Sequence, residues 1–185
     1  MGVKIIAGST ADTFKNIKER LITVSLMVSF GKEEFIDGVT ITHEEFYKKL
    51  IDSEESPVTS QPSPQAFRNE YEKSIDNGDT AVVITVSSKL SGTYQSAIIG
   101  AEGLSEGKIF VVDSKSASIG EGVLCELALR LVDEGKTAEE IVEILEKERE
   151  KLIVVALLDT LEYLLRGGRI SKTSAMIGKL LSIKV

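Results

Sequence analysis

An α/β fold with a mainly parallel sheet flanked by helices is what this 185-residue chain predicts. Aliphatic runs such as Ala81-Val-Val-Ile-Thr-Val86 and Ile109-Phe-Val-Val112 lack polar alternation, which marks strands buried on both faces. Segments with helix start and stop signals alternate with those runs. No internal repeat or low-complexity tract breaks the alternation.

Taken in order, Val3 to Ala7 reads as a buried strand ending in Gly8-Ser9-Thr10, followed by a helix from about Asp12 to Arg20. Ile22, Val24, Leu26, Val28 and Phe30 alternate with more polar neighbours, so residues 22–30 read as one half-buried strand. Thr42-His-Glu-Glu45 is a capping box for a helix carrying Phe46, Tyr47 and Leu50. Val58 begins a short extended piece. Ser63 is a natural N-cap with Pro64 at the first helical position, and Phe67, Tyr71 and Ile75 recur every fourth residue until Gly78 closes the helix.

The strand from Thr80 to Val86 leads through Ser87, Ser88, Ser91, Gly92 and Thr93 into a helix containing Ala97 and Ile98. The strand at Ile109 precedes a helix around Cys125, closed by Gly135. Thr137-Ala-Glu-Glu140 caps another helix, running to about Glu150. Leu152 to Leu158 reads as a last buried strand, followed by a helix ending at Gly167-Gly168 and a final one capped by Ser171. Residues 1–151 therefore form one α/β lobe, and 152–185 are expected to begin a second. The apolar segment Lys179–Val185 has no closing turn, so a further lobe, or self-association through this segment, is expected.

Bulk properties narrow the function. A net charge of −7 and a pI near 4.9 leave no basic field for nucleic acid. A single cysteine permits no intrachain disulfide, and its apolar helical setting reads as an inert core thiol. No run is long enough to cross a membrane and no apolar leader opens the chain, so a reduced, cytoplasmic protein without stable membrane insertion is expected.

Hydroxyl-rich turns recur where strands give way to helices: Thr59-Ser60 before Ser63, the Ser87–Thr93 turn, and Ser114-Lys-Ser-Ala-Ser118. Such turns gather backbone N–H groups and side-chain donors, and several in one domain point to a shared anion-binding edge. Catalytic chemistry is sparse. His43 lies beside Glu44 and Glu45 in a helix first turn and reads as a surface residue. No Gly-x-Ser-x-Gly elbow is present, and His and Cys are too few for a zinc site. Gly103-Leu-Ser-Glu-Gly-Lys108 is one residue short of a phosphate-binding loop and is followed by Ile109, so it reads as a turn into a strand. Asp113, alone at a strand end, reads as the cap of the next turn. Binding is favoured over catalysis, with no cofactor and no metal expected.

Thr59-Ser-Gln-Pro-Ser63, Ser87-Ser-Lys-Leu-Ser-Gly-Thr-Tyr-Gln-Ser-Ala97, Val112-Asp-Ser-Lys-Ser-Ala-Ser118 and Leu161-Glu-Tyr-Leu-Leu-Arg-Gly-Gly-Arg-Ile-Ser171 together resemble the DegV family. Gly8-Ser-Thr-Ala-Asp12 and Phe35-Ile-Asp-Gly38 fit the same template. The resemblance implies a two-lobed α/β protein that binds a long-chain fatty acid, the carrier subunit of a bacterial fatty acid kinase. A separate kinase subunit would phosphorylate the bound carboxylate. By resemblance, the carboxylate is held at Thr59 and Ser91, with Ser60 and Gly92 beside them. Ser9, Ser118 and Arg169 are candidate pocket or partner contacts, although the helix dipole alone also favours a cation at Arg169.

The chain departs from the family pattern in two ways. Gly8 stands where members usually carry Asp, and members continue past Val185 with a second lobe. Rival readings are a small α/β enzyme acting on a phosphorylated metabolite in the same Ser/Thr pocket, and an inactive half that only completes a partner chain.

Overall fold

The computed structural model describes residues 2–53 and 55–170. It divides into two compact units, Met1–Leu152 and Ile153–Val185. In the first, strands β1 (Val3–Gly8), β2 (Ile22–Val24), β6 (Thr80–Thr85) and β7 (Ile109–Asp113) form a four-stranded sheet in the order β2-β1-β6-β7. Every neighbouring pair in that sheet is parallel. Between them the chain forms β3 (Met27–Phe30), β4 (Glu33–Ile36) and β5 (Val58–Ser60), a small antiparallel sheet in the order β4-β3-β5.

The unbroken aliphatic runs follow from burial on both faces of the parallel sheet. Ile5, Ala7, Val82, Ile84 and Val112 pack against Leu124, Cys125, Ala128, Ile141 and Leu145 from α5 (Ile119–Asp133) and α6 (Ala138–Glu148). The alternate residues Ile6, Ala81 and Val83 pack against Phe67 and Tyr71 of α3 (Pro64–Asp76) and Ala97 of α4 (Thr93–Ala101). The period of two along each strand thus feeds two separate cores. Tyr71 Oη, fully buried, donates to the Ala97 carbonyl at 3.1 Å and ties α3 to α4.

Helix ends follow their signals. Thr42 and Thr137 each complete a capping box, with Glu45 at the start of α2 (His43–Asp52) and with Glu140 at the start of α6. Ser63 Oγ accepts from the Ala66 N–H, with Pro64 opening α3. Gly78 and Gly135 lie at positive φ (78° and 77°) just past α3 and α5, where residues with a Cβ are disfavoured. His43 is exposed, as expected, and residues 103–108 form a turn leading into β7. A 3₁₀ turn, Arg149–Lys151, follows α6.

Three sequence expectations change. The single strand over residues 22–30 is two strands in different sheets. The Leu26 N–H donates to Ser9 Oγ at 3.2 Å and its carbonyl accepts from the Asp37 N–H at 3.0 Å, so the chain turns away at Ser25-Leu26. The apolar alternation runs through this change of sheet without a break, so periodicity does not register it. The helix expected from Asp12 to Arg20 shrinks to α1 (Lys15–Lys18), because residues 11 and 12 bridge to Ser118 instead. Leu152 to Leu158, which from Ile153 on belongs to the second unit, is not a strand: Ile153 and Val155 are each 88% exposed. A strand requires a neighbour to take up its N–H and C=O groups, and none is paired with this segment among the described residues. That unit contains α7 (Glu162–Arg166), with Gly168 at φ 74° just beyond it. The final helix expected after Ser171, with Ile177, Leu180 and Leu181, lies outside the described residues.

Candidate functional site

Connections from β1 leave to opposite sides of the sheet, to β2 on one edge and eventually to β6 on the other. Their carboxyl ends therefore flank a topological switch point, where open α/β sheets bind ligands. The loops leaving β1 and β6 there are Ser9-Thr10 and Ser87–Gly92.

The β6–α4 loop is built by its own hydroxyls. The carbonyl of Ser87 accepts from the N–H groups of Leu90 (2.9 Å) and Ser91 (3.1 Å), while its Oγ accepts from the Lys89 N–H at 3.3 Å. Ser91 Oγ lies 2.9 Å from Thr93 Oγ1 and accepts from the Thr93 N–H at 3.3 Å. Ser91 and Gly92 are half-buried and Thr93 is buried. Ser91 thus sits at the positive end of the α4 dipole, where negative charge is stabilised.

Thr59 and Ser60 are exposed on β5, paired with Val28 and Met27 of β3. Gln61 follows and brings this edge to α4: its Nε2 donates to Ser96 Oγ at 3.0 Å. Val58 and Leu90, both exposed apolar side chains, are sequence neighbours of Thr59 and Ser91 respectively.

A polar cluster occupies the end of β1 against the start of α5. Ser9 Oγ accepts from the Leu26 N–H, and its own N–H donates to the Val24 carbonyl at 3.2 Å. Ser118 is exposed, at φ 54°, ψ −124°, an uncommon conformation for a residue with a Cβ. Its hydroxyl donates to Asp12 Oδ2 at 2.5 Å and its carbonyl accepts from the Asp12 N–H at 3.3 Å. Glu121, fully buried in the first turn of α5, accepts from Thr10 Oγ1 at 2.8 Å through Oε2. Burial, reinforced by the nearby Asp12 carboxylate and opposed by the Thr10 hydrogen bond, pushes Glu121 up to about 8. The Cys125 thiol is driven higher still by burial and by Glu121, an inert core thiol as expected. Gly8 lies against this cluster: a Cβ there would stand 3.0 Å from Thr10 Oγ1 and 3.5 Å from Glu121 Oε1.

Asp113 caps the neighbouring loop, accepting from Ser88 Oγ (2.6 Å), the Ser88 N–H (3.1 Å) and the Lys115 N–H (3.0 Å). Desolvation acts upward on its carboxyl, but these donors and Arg149 outweigh it and hold the pKa low.

Ser9, Ser91, Gly92 and Ser118 thus stand at the carboxyl edge of one sheet, and β5 with Thr59 and Ser60 is held to α4 through Gln61. Arg169 belongs to the second unit, exposed, with Nη1 donating to the Gly167 carbonyl at 2.6 Å. Neither Gln61 nor Glu121 stands out in the sequence as a site residue. The signal for Glu121 was present: it precedes Cys125 by four residues on the inward face of α5. Among the described residues no group of three or more His, Cys, Asp or Glu side chains is placed to hold a metal. None of their helices is long and apolar enough to cross a membrane.

A parallel sheet flanked by helices, with hydroxyls gathered at its carboxyl edge, is the architecture of the open α/β folds. The chain is a member of the DegV family, described as uncharacterised proteins, whose model matches residues 2–185. A DegV domain-containing protein of Clostridium acetobutylicum is 39% identical over 185 residues, spanning 98% of this chain and 65% of that relative. A fatty-acid-binding DegV family protein from Thermus thermophilus superposes with a TM-score of 0.89 at 34% identity, covering 100% of this chain and 66% of that one. DegV of Bacillus subtilis, a fatty acid binding protein, gives a TM-score of 0.83 at 28% identity over 96% of this chain and 64% of its own. A stearic acid-binding protein from Eubacterium ventriosum gives 0.78 at 29%, over 94% and 61%. The chain therefore spans about two thirds of the length of these relatives, 65% for the first.

Proposed function

We propose that this protein binds a long-chain fatty acid, with its carboxylate at Thr59, Ser60, Ser91 and Gly92, and presents it to a separate fatty acid kinase subunit. The observation that carries the reading is the 0.89 TM-score, at 34% identity, with a relative described as fatty-acid-binding. The switch-point location of the hydroxyls and the exposed Val58 and Leu90 beside them support it. On this reading the protein is a carrier rather than an enzyme, needs no cofactor, and works in the cytoplasm. Ser9 and Ser118 line the same edge, Arg169 meets the kinase subunit or the transferred phosphate, and residues 152–185 begin a second lobe through which copies self-associate.

Magnitudes divide the labour. Burying an acyl chain contributes about 0.8 kcal/mol per methylene, on the order of 11 kcal/mol gross for a sixteen-carbon tail. A hydrogen bond to the charged head contributes roughly 1.5–3 kcal/mol. The tail supplies most of the affinity, and the hydroxyls orient the oxygen that receives phosphate.

Titration of the purified protein with a saturated series from octanoate to stearate, with glycerol 3-phosphate in parallel, tests this. Affinity is expected to rise by about fourfold per added methylene until the tail outgrows its site. Binding of glycerol 3-phosphate without binding of any fatty acid would overturn the reading in favour of a phosphorylated-metabolite site.

A further inference from the structure

Gly92 has φ −76° and ψ 7°, a conformation open to any residue, so its backbone does not call for glycine. Space does. A Cβ on Gly92 would lie 2.2 Å from Gln61 Oε1 and 2.7 Å from both Gln61 Cδ and Nε2. The Gln61 amide therefore lies directly across the bare Cα of Gly92, while its Nε2 reaches Ser96 one turn further along α4. It joins the antiparallel sheet, through the end of β5, to the parallel one, through the first turns of α4. The three hydroxyls of the proposed head-group site flank this joint: Thr59 and Ser60 immediately before Gln61, Ser91 immediately before Gly92.

We propose that Gln61 is a positioning residue for the head-group site, seated in the notch left by Gly92 and latched to Ser96, which holds β5 at the distance from Ser91 that a carboxylate can bridge. The inference rests on the fatty-acid reading for its choice of ligand but not for the joint itself. Without the latch, β5 keeps its ladder to β3 but loses its side-chain tie to α4, and ordering it on binding costs affinity. Neither residue carries the fold: Gln61 is exposed at the end of a strand, and the three atoms nearest a methyl on Gly92 are all at the far end of that flexible side chain.

The test is a double-mutant cycle. Palmitate affinity and thermal midpoint are measured for the unmodified chain, Gln61→Ala, Gly92→Ala and the double variant, with amide hydrogen exchange read over residues 58–60. Each single variant is expected to bind palmitate roughly tenfold more weakly, with the thermal midpoint moving by no more than about 4 °C. The double variant is expected to bind no worse than Gln61→Ala, because the Gly92 methyl matters only while the amide is there to be displaced. Exchange over 58–60 rises in all three. A structural role for Gly92 at the helix start would instead lower affinity and midpoint in both backgrounds alike. Unchanged affinity in Gln61→Ala, or additive losses in the double variant, would overturn the latch. Failure of the unmodified chain to bind palmitate would strike the fatty-acid reading instead. The hydrogen-exchange arm would still decide the joint, since unchanged exchange in Gln61→Ala overturns it.

Discussion

Thr10 Oγ1 donates a 2.8 Å hydrogen bond to Glu121 Oε2, joining the loop after β1 to the first turn of α5, while Glu121 Oε1 is buried with no donor among the described residues. An ionised carboxylate with a bare oxygen in such a place is costly, so the group holds its proton. Asp12 on the same loop adds to the cost of ionisation, and the Cys125 thiol, one turn on, stays protonated.

The sign of the pH dependence follows. The pKa of Glu121 rises from its ordinary value of 4.5 to about 8 on folding, so the native state binds the extra proton between those limits. Stability is then expected to fall as pH rises through that window, by a few kcal/mol in total. Glu121→Gln keeps an acceptor for Thr10 and cannot ionise. Denaturant midpoints at pH 5 and pH 9 are expected to show the variant equal or slightly weaker at pH 5 and stronger at pH 9. A parallel decline of both proteins with pH would remove Glu121 from the explanation.

Gly122 is required for a different reason from the turn glycines. A Cβ there would lie 1.9 Å from the Asp12 carbonyl oxygen and 2.8 Å from its carbon, both backbone atoms without a rotamer to yield. Gly122→Ala is expected to push the residue 10–13 loop off α5, break the Asp12–Ser118 bonds and cost roughly 2–4 kcal/mol. Urea unfolding measures the loss, and a change within about 0.5 kcal/mol would mean the loop relocates freely.

Tyr71→Phe removes the hydroxyl that binds the Ala97 carbonyl but leaves the ring in the core beside Phe67. A loss of about 1 kcal/mol is expected, with no change in fatty-acid affinity, since the tie joins α3 to α4 and involves none of Thr59, Ser60 and Ser91. Calorimetry with a parallel palmitate titration separates the two effects.

Thr59→Ala and Ser91→Ala are expected to weaken binding roughly tenfold or less, since the tail supplies most of the affinity. Phosphoryl transfer by the kinase subunit is expected to suffer more, because the acceptor oxygen loses its orientation. Equal losses in affinity and in transfer rate would contradict that division of labour.

Most of the parallel α/β layer was legible because each of its elements carries a local physical signature. The runs at Val82–Ile84 and Ile109–Val112 read as strands from their β-branched content and short length, and Thr42, Ser63 and Thr137 announce their helices by side-chain chemistry. The break at Ser25-Leu26 was hidden because apolar alternation continues from one sheet into the next. Residues 152–158 misled for a related reason: hydrophobicity marks a segment fit to be a strand, but pairing requires a neighbour that composition does not reveal. At the site, the Ser and Thr residues were visible as clusters. Gln61 was not, because its place depends on the bare Cα of Gly92, a product of tertiary packing, and Glu121 was marked only by its spacing from Cys125 on the inward face of α5.

Mass spectrometry of an organic extract of the purified protein tests the central claim most directly. A stoichiometric long-chain fatty acid, lost together with the protein's capacity to rebind palmitate in a Thr59→Ala/Ser91→Ala variant, is the predicted result. A purified chain that carries no fatty acid and takes up none when palmitate is added would contradict it.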